Sequence, residues 1–202
     1  MNNSLIKIIN SIANFCDIVY WKIVVLTSNI RMQIVLFFRG IEYGKHIVFF
    51  GAAKFKRSNS AIIKIGNDCT FRSKTNSNLI GINRRCILTA LEPKAKLVIG
   101  NNCGFSGTVI GCFNKIIIGN NVKCGANSLI TDSDWHLGDL RSGEPKEIII
   151  KDNVWLGVNA TVMKGVTIGR NSVIGANSVV TKDVPDNVIA AGNPCKIIKQ
   201  LV

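Results

Sequence analysis

One histidine stands where a proton could be moved. His136 ends the run Thr131-Asp-Ser-Asp-Trp-His, with Asp132 and Asp134 just before it and Asp139 just after. Imidazole takes up and releases a proton near neutral pH, its reference value being about 6.5. A carboxylate or backbone carbonyl holding one ring nitrogen would leave the other to accept a proton from a hydroxyl. A lone surface histidine is more often incidental, and the spacing does not decide which group orients this one. What distinguishes His136 is its place, at the point where a strict repeat breaks off.

That repeat is the element that must position it. Ile150, Leu156, Val162, Ile168, Ile174 and Val180 recur every six residues, with Val154, Ala160, Val166, Ser172, Ser178 and Val184 four places after each. Fixed self-similarity marks a solenoid, in which each unit is too small to bury its apolar side alone and gains a core by stacking. Gly157, Gly169 and Gly175 directly follow an apolar residue, as expected of corners that need a backbone conformation other residues avoid. Earlier the pattern is ragged: Ile65-Gly66, Ile80-Gly81, Ile99-Gly100 and Ile118-Gly119. It is lost after Trp135 and recovered at Ile150. Residues 131–149, holding Gly138, Gly143, Pro145 and several charges, therefore read as a loop thrown out of the coil. The expected organisation is a helical segment over 1–40, a β-helix over 41–187 and a tail over 188–202.

The chain has 202 residues, enough for one substantial core, and a net charge of +13. Ten basic residues face two acidic ones between Gly51 and Lys96. Such clustering favours an anionic partner, whether phosphorylated cofactor, acidic glycan, lipid head group or nucleic acid, although a solvated face is as good an account of any single lysine. Seven cysteines occur singly and only His46 accompanies His136. No disulfide framework and no metal site is expected, and the compartment reads as cytoplasmic. Lys7, Asn10, Asn14, Asp17, Lys22 and Arg31 interrupt the apolar N-terminus, so a spanning helix is not expected, nor a cleavable signal. Two readings of residues 1–40 stand: a helix covering an open strand edge of the coil, which is favoured, or peripheral attachment at the inner face of the cytoplasmic membrane.

Ile118-Gly-Asn-Asn-Val, Asp132-Ser-Asp-Trp-His, Val154-Trp-Leu-Gly-Val-Asn-Ala, Gly165-Val-Thr-Ile-Gly, Ser178-Val-Val-Thr-Lys-Asp-Val-Pro and Ala191-Gly-Asn-Pro together resemble the hexapeptide-repeat acyltransferases, in the branch of sugar and capsular-polysaccharide O-acetyltransferases. The resemblance implies an all-β, left-handed parallel β-helix, an exception to the usual right-handed crossover. It further implies a homotrimer with the site between subunits, acetyl-CoA as donor, no metal and no nucleic-acid partner. His136 resembles the family's catalytic base. Trp155, Gly157, Val158 and Ala176 match positions along the acetyl-CoA cleft, and Thr181, Lys182 and, one 18-residue turn after Thr181, Lys199 match those facing its phosphates, where a lysine supplies a point charge. Ser106 and Asp134, with Trp155, match acceptor-side positions. The family more often has asparagine where Ser106 stands, so a corner serine accounts for it equally, and a half-buried aromatic on a coil corner accounts for Trp155.

The function implied is O-acetylation of a sugar hydroxyl on a capsule, O-antigen or exopolysaccharide unit, free or lipid-linked. The competing readings are acetylation of a small soluble acceptor and a non-catalytic solenoid.

Overall fold

The six-residue period becomes one side of a triangular coil. In the computed structural model, which describes residues 3–136 and 138–201, Ile150, Leu156, Val162, Ile168, Ile174 and Val180 are all completely buried. Met1, Asn2 and Val202, at the ends of the expected terminal segments, and Leu137, in the expected loop, lie outside the described residues.

After helix α1 (Asn3–Phe38), the first coil is β1 (Glu42–Tyr43), β2 (Val48–Phe50) and β3 (Lys54–Arg57). The second is β4 (Ile62–Ile65), β5 (Thr70–Arg72) and β6 (Ile87–Ala90); the third is β7 (Lys96–Ile99), β8 (Gly104–Ser106) and β9 (Val109–Cys112). The fourth is β10 (Lys115–Ile118), β11 (Lys123–Cys124) and β12 (Leu129–Thr131), followed by the long loop. Then come β13 (Ile148–Ile150), β14 (Trp155–Leu156) and β15 (Thr161–Val162), and β16 (Thr167–Ile168), β17 (Val173–Ile174) and β18 (Val179–Val180). β19 (Val188–Ala191) starts a last rung, and β20 (Lys196–Gln200) turns back antiparallel on it. Strands stack in register into three sheets, each strand pairing in parallel with its counterparts in neighbouring coils; the second sheet runs β2-β5-β8-β11-β14-β17-β19-β20.

The corners differ in detail from the expectation. Gly66, Gly100, Gly119 and Gly157 do not adopt positive φ; that conformation falls to Asn102, Asn121, Asn153, Asn171 and Asn187, with φ between 55° and 60°. Asparagine tolerates the left-handed region because its short amide bonds locally. Here the amides form a ladder from coil to coil, Asn153 Nδ2 donating to Asn171 Oδ1 at 3.0 Å and Asn171 Nδ2 to Asn187 Oδ1 at 2.8 Å. The glycines are needed for a different reason, close approach. A Cβ on Gly100 would lie 2.6 Å from the Gly119 carbonyl oxygen, and one on Gly157 would lie 2.6 Å from the Ala176 nitrogen.

The core is aromatic at one end and aliphatic at the other. Phe49, Phe71 and Phe105 stack at centroid spacings of 5.1 Å and 5.0 Å, one ring per coil, and Phe55 meets them edge-on. Five cysteines, among them Cys69 and Cys103, are buried as free thiols within this core.

Ile80-Gly81 is no repeat corner. Residues 73–86 leave the coil between β5 and β6 as a second loop, with Leu79 99% and Ile80 64% exposed. The basic cluster partly serves it: Arg72 Nη1 donates to the Ser77 carbonyl, and Arg84 donates to the carbonyls of Gly107 and Asn127. Arg57 similarly donates to the Arg39 carbonyl where the helix meets the coil. These arginines hold backbone rather than await an anion.

Helix α1 is continuous over 36 residues, and Ile6–Phe38 is long and apolar enough to cross a membrane, which corrects the expectation of a stretch too interrupted to do so. Its C-terminal half docks on the exposed edge of β2. Met32 and Leu36 are fully buried there; the Phe49 amide donates to Asn29 Oδ1 at 2.8 Å and the Gly51 amide to Ser28 Oγ at 3.1 Å. Two polar side chains thus occupy edge donors that would otherwise offer a template to another strand. On the opposite side, at 3.6 residues per turn, Ile8, Ile12, Phe15, Val19, Ile23, Leu26, Ile30, Ile34 and Phe37 form an unpartnered stripe, each between 37% and 75% exposed.

Close approach at the corners yields a prediction. Gly100→Ala should lower unfolding stability by about 1–3 kcal/mol through overpacking. Gly104→Ala, whose Cβ would meet nothing within 4 Å, should change it by no more than about 0.5 kcal/mol. Equilibrium chemical denaturation compares the two.

Candidate active site: a groove on the second sheet and a histidine loop

Sheet stacking places Lys123, Trp155, Val173 and Ile189 in one register column on the second sheet, with their neighbours Cys124, Leu156, Ile174 and Ala190 pointing inward. Gly125, Gly157 and Gly175 form the next column, a floor of bare backbone at the corner toward the third sheet. The 73–86 loop folds over this face, and two adjoining grooves result, each about 420 Å³. One is lined by Trp155, Gly157, Val158, Val173 and Ala176 together with Asn78 and Ile80 from the loop. The other is lined by Thr70, Arg72, Ser106 and Lys123, and shares Asn78, Gly125 and Trp155 with the first. The first is mainly apolar; the second mixes polar and cationic groups.

Trp155 is 55% exposed and lies at the junction of the two. Gly157, Val158 and Ala176 line the apolar groove with it, so these four expected cleft residues converge. Ser106 is buried, its hydroxyl accepting from Asn78 Nδ2 at 3.1 Å. Thr181 and Lys182 are exposed in the turn after β18, on the third sheet, and line neither groove. Lys199 does not stand one coil beyond Thr181 as the 18-residue step suggests, because β20 reverses direction. Its partner is Ile189, which extends the Trp155–Val173 column, so Lys199 ends the groove-bearing sheet. Asn78, Arg72, Lys123 and Gly125 were missed by sequence reasoning. Arg72 lay in the basic cluster and Asn78 beside the misread Ile80-Gly81, whereas Lys123 and Gly125 carried neither signal.

The histidine loop leaves between the third sheet and the first, away from the grooves. Asp132 is completely buried and accepts from the amides of Phe113, Asn114 and Lys115 at 2.7–2.8 Å. Burial pushes its carboxyl above the usual range, and the three amides work against that shift. Trp135 takes a left-handed φ of 68°, donates from its indole to Thr131 Oγ1 at 2.8 Å, and packs edge-on to Phe113 over the bare Gly111 backbone. The residue before His136 is therefore pinned on three sides.

His136 itself is exposed, and its imidazole makes no hydrogen bond among the described residues. Neither expected carboxylate orients it. Asp132 is committed to the backbone, and Asp134 Oδ2 accepts from Lys164 Nζ at 2.6 Å and from the Gly143 amide at 3.1 Å. Lys164 holds the Asp134 carboxyl below its ordinary value, so this pair latches the loop to the coil. Among the described residues, no three His, Cys, Asp or Glu side chains converge to hold a metal ion.

Residues 147–182 match the bacterial transferase hexapeptide family, described as six repeats. The chain is 41% identical to galactoside O-acetyltransferase of Lactococcus lactis over 113 residues, 50% of this chain and 55% of that protein. It is 41% identical to galactoside O-acetyltransferase of Escherichia coli over 122 residues, 55% of this chain and 60% of that protein. The chain thus spans a little over half the length of these relatives. Among solved structures it is similar to the polySia-specific acetyltransferase NeuO, at 26% identity and a TM-score of 0.57, over 80% of this chain and 86% of that one. It shares the fold of the N-acyltransferase AntD from Bacillus cereus, solved with a dTDP-sugar and coenzyme A, at 21% identity and a TM-score of 0.66, over 84% and 89% of the two chains.

The latch gives a prediction with a defined sign. A carboxyl held below its unfolded value contributes stability above that value, about 3.9 for aspartate. The Lys164–Asp134 latch should therefore hold at neutral pH and open only as pH falls through the lowered value. Asp134→Asn should open it at neutral pH. Tryptic cleavage after Arg141 should then be several-fold faster than in the parent chain at pH 7, with the coil's melting unchanged. The chain has the left-handed parallel β-helix fold, with the bacterial transferase hexapeptide repeat in residues 147–182.

Proposed function

We propose that the protein is an acetyl-CoA-dependent O-acetyltransferase for a sugar hydroxyl, with His136 as general base, and that its acceptor is a unit of a bacterial surface polysaccharide. The observation that carries this reading is the pairing of an apolar groove, Trp155 above a glycine floor, with an exposed histidine next to the anchored Trp135, its ring without a hydrogen-bond partner among the described residues. A floor of glycines carries no side chains, so an extended donor arm can lie close along the coil. The two relatives matched in sequence are galactoside O-acetyltransferases, and NeuO is a polySia-specific acetyltransferase. The second groove, lined by the Lys123 ammonium, suits an acidic glycan.

In the proposed reaction, the His136 ring takes the proton of the acceptor hydroxyl as that oxygen attacks the donor's thioester carbonyl. Backbone amides at the coil edge stabilise the oxyanion, a contribution of about 2.7–4 kcal/mol per donor where measured. Collapse breaks the carbon–sulfur bond, and the imidazolium returns its proton to the leaving thiolate. Lys199, at the end of the groove-bearing sheet, and Lys182, supplied by the neighbouring protomer from the same side of the coil as its histidine loop, contribute cationic charge toward the donor's phosphates.

Within one chain the base and the groove face different sides of the coil. The reading therefore calls for a homotrimer in which the loop of one protomer meets the groove of the next, a closed ring built from one heterologous contact.

His136→Ala should lower kcat by at least about a hundredfold, read as thiol release from acetyl-CoA, with the fold unchanged by circular dichroism; near-normal turnover would remove His136 from the chemistry. Lys182→Glu should raise KM for acetyl-CoA with little effect on kcat. Mixing refolded His136→Ala protomers with Ala176→Trp protomers, whose groove is filled, should restore roughly a quarter of parental activity, the statistical share of interfaces with both parts intact. Two inactive parents that form mixed oligomers without recovery would place the site within one protomer. A preference for free galactosides over oligosaccharide fragments in competition would assign the acceptor to the small-molecule class that the relatives' names indicate.

A further inference from the structure

We propose that α1 lies in the plane of an anionic bilayer, with the stripe from Ile8 to Phe37 sunk to the acyl boundary and the coil standing above it in water. The proposal rests on the helix alone and is independent of the catalytic reading.

Four observations support it. The stripe is unbroken and extends over roughly 44 Å at 1.5 Å per residue, a larger contiguous apolar surface than soluble chains leave uncovered. The coil is docked on the opposite side of the same helix, through Met32, Leu36, Ser28 and Asn29, so a flat surface can meet the whole stripe without touching the coil.

In the N-terminal half, Lys7, Asn10, Asn14 and Asp17 continue the docked side rather than the stripe. An in-plane helix keeps these four in water, whereas a spanning one would carry Asn10, Asn14 and Asp17 into hydrocarbon, and its C-terminal half is already held against β2. Lys22 and Arg31 flank the stripe on either side and pair with no acid among the described residues, and Asp17 is the helix's one acidic residue. An apolar face bordered by free cations fits acyl chains beneath anionic head groups.

The stripe's mean step is 3.6 residues. A seam for a second copy in a left-handed coiled coil would repeat at 3.5.

The test is flotation of the full chain with phosphatidylcholine vesicles, with and without phosphatidylglycerol. The parent should float with the anionic vesicles and much less without them, and added salt should weaken the binding. Phe15→Glu combined with Ile23→Glu, both at exposed positions, should reduce partitioning at least about tenfold, with circular dichroism and melting unchanged. Lys22→Glu with Arg31→Glu should erase the preference for phosphatidylglycerol.

Any of three results would overturn the proposal. One is a parent that stays with the soluble fraction, including one that self-associates through the stripe without binding vesicles. The second is a double glutamate variant that floats as well as the parent. The third is retention of the chain in membranes through alkaline carbonate extraction, which marks a spanning helix.

Discussion

Everything in this molecule is subordinate to the spacing between neighbouring coils. Parallel strands stack about 4.8 Å apart, and at the corners that distance leaves no room for a Cβ on Gly66, Gly100, Gly119 or Gly157. The chain turns instead through asparagines in the left-handed region, whose amides then link one coil to the next. Turning and stacking are thus the same set of residues. The Phe49–Phe71–Phe105 stack repeats this arithmetic inside the coil, one ring per rung.

The stacking rule explains what was legible in the sequence. The residues from Ile150 to Val180 carry an unbroken six-residue period because each must point inward, and all of them do. Ile80-Gly81 has the same local signature and lies in a loop, since a dipeptide carries no phase and only its spacing from Ile65 and Ile99 could have exposed it. The corner glycines were identifiable as corners, but their reason was not, because a close approach involves the next coil and not the residue's own neighbours. Lys199 shows the limit again: counting eighteen residues from Thr181 presumes that the coil continues, and β20 reverses. The partner of Asp134 was equally hidden, Lys164 being thirty positions away in sequence and adjacent in space.

The site divides its tasks between regular and irregular chain. The coil supplies the groove, which costs no special conformation because its floor is the corner glycine column. The two excursions from the coil supply what a repeat cannot: Asn78 and Ile80 wall the groove, and the loop between β12 and β13 carries the one histidine outside the first coil. Both excursions are tied down by side-chain bonds to backbone, Arg72 and Arg84 for one, Asp132 for the other. Among the described residues the imidazole makes no hydrogen bond of its own; the side chain held in place is the neighbouring Trp135.

The groove-bearing sheet is covered at one end, by α1 against β2, and at the other β20 adds a last, antiparallel strand beside β19. Its length is accordingly a whole number of rungs. From Thr70 on β5 to Ala176 beyond β17 the lining crosses five strands, which at the usual strand spacing is roughly 19 Å. The cleft is in effect a ruler graduated in steps of one coil. Insertion or deletion of a single eighteen-residue unit would alter its reach by one graduation while leaving the shape of every remaining notch unchanged.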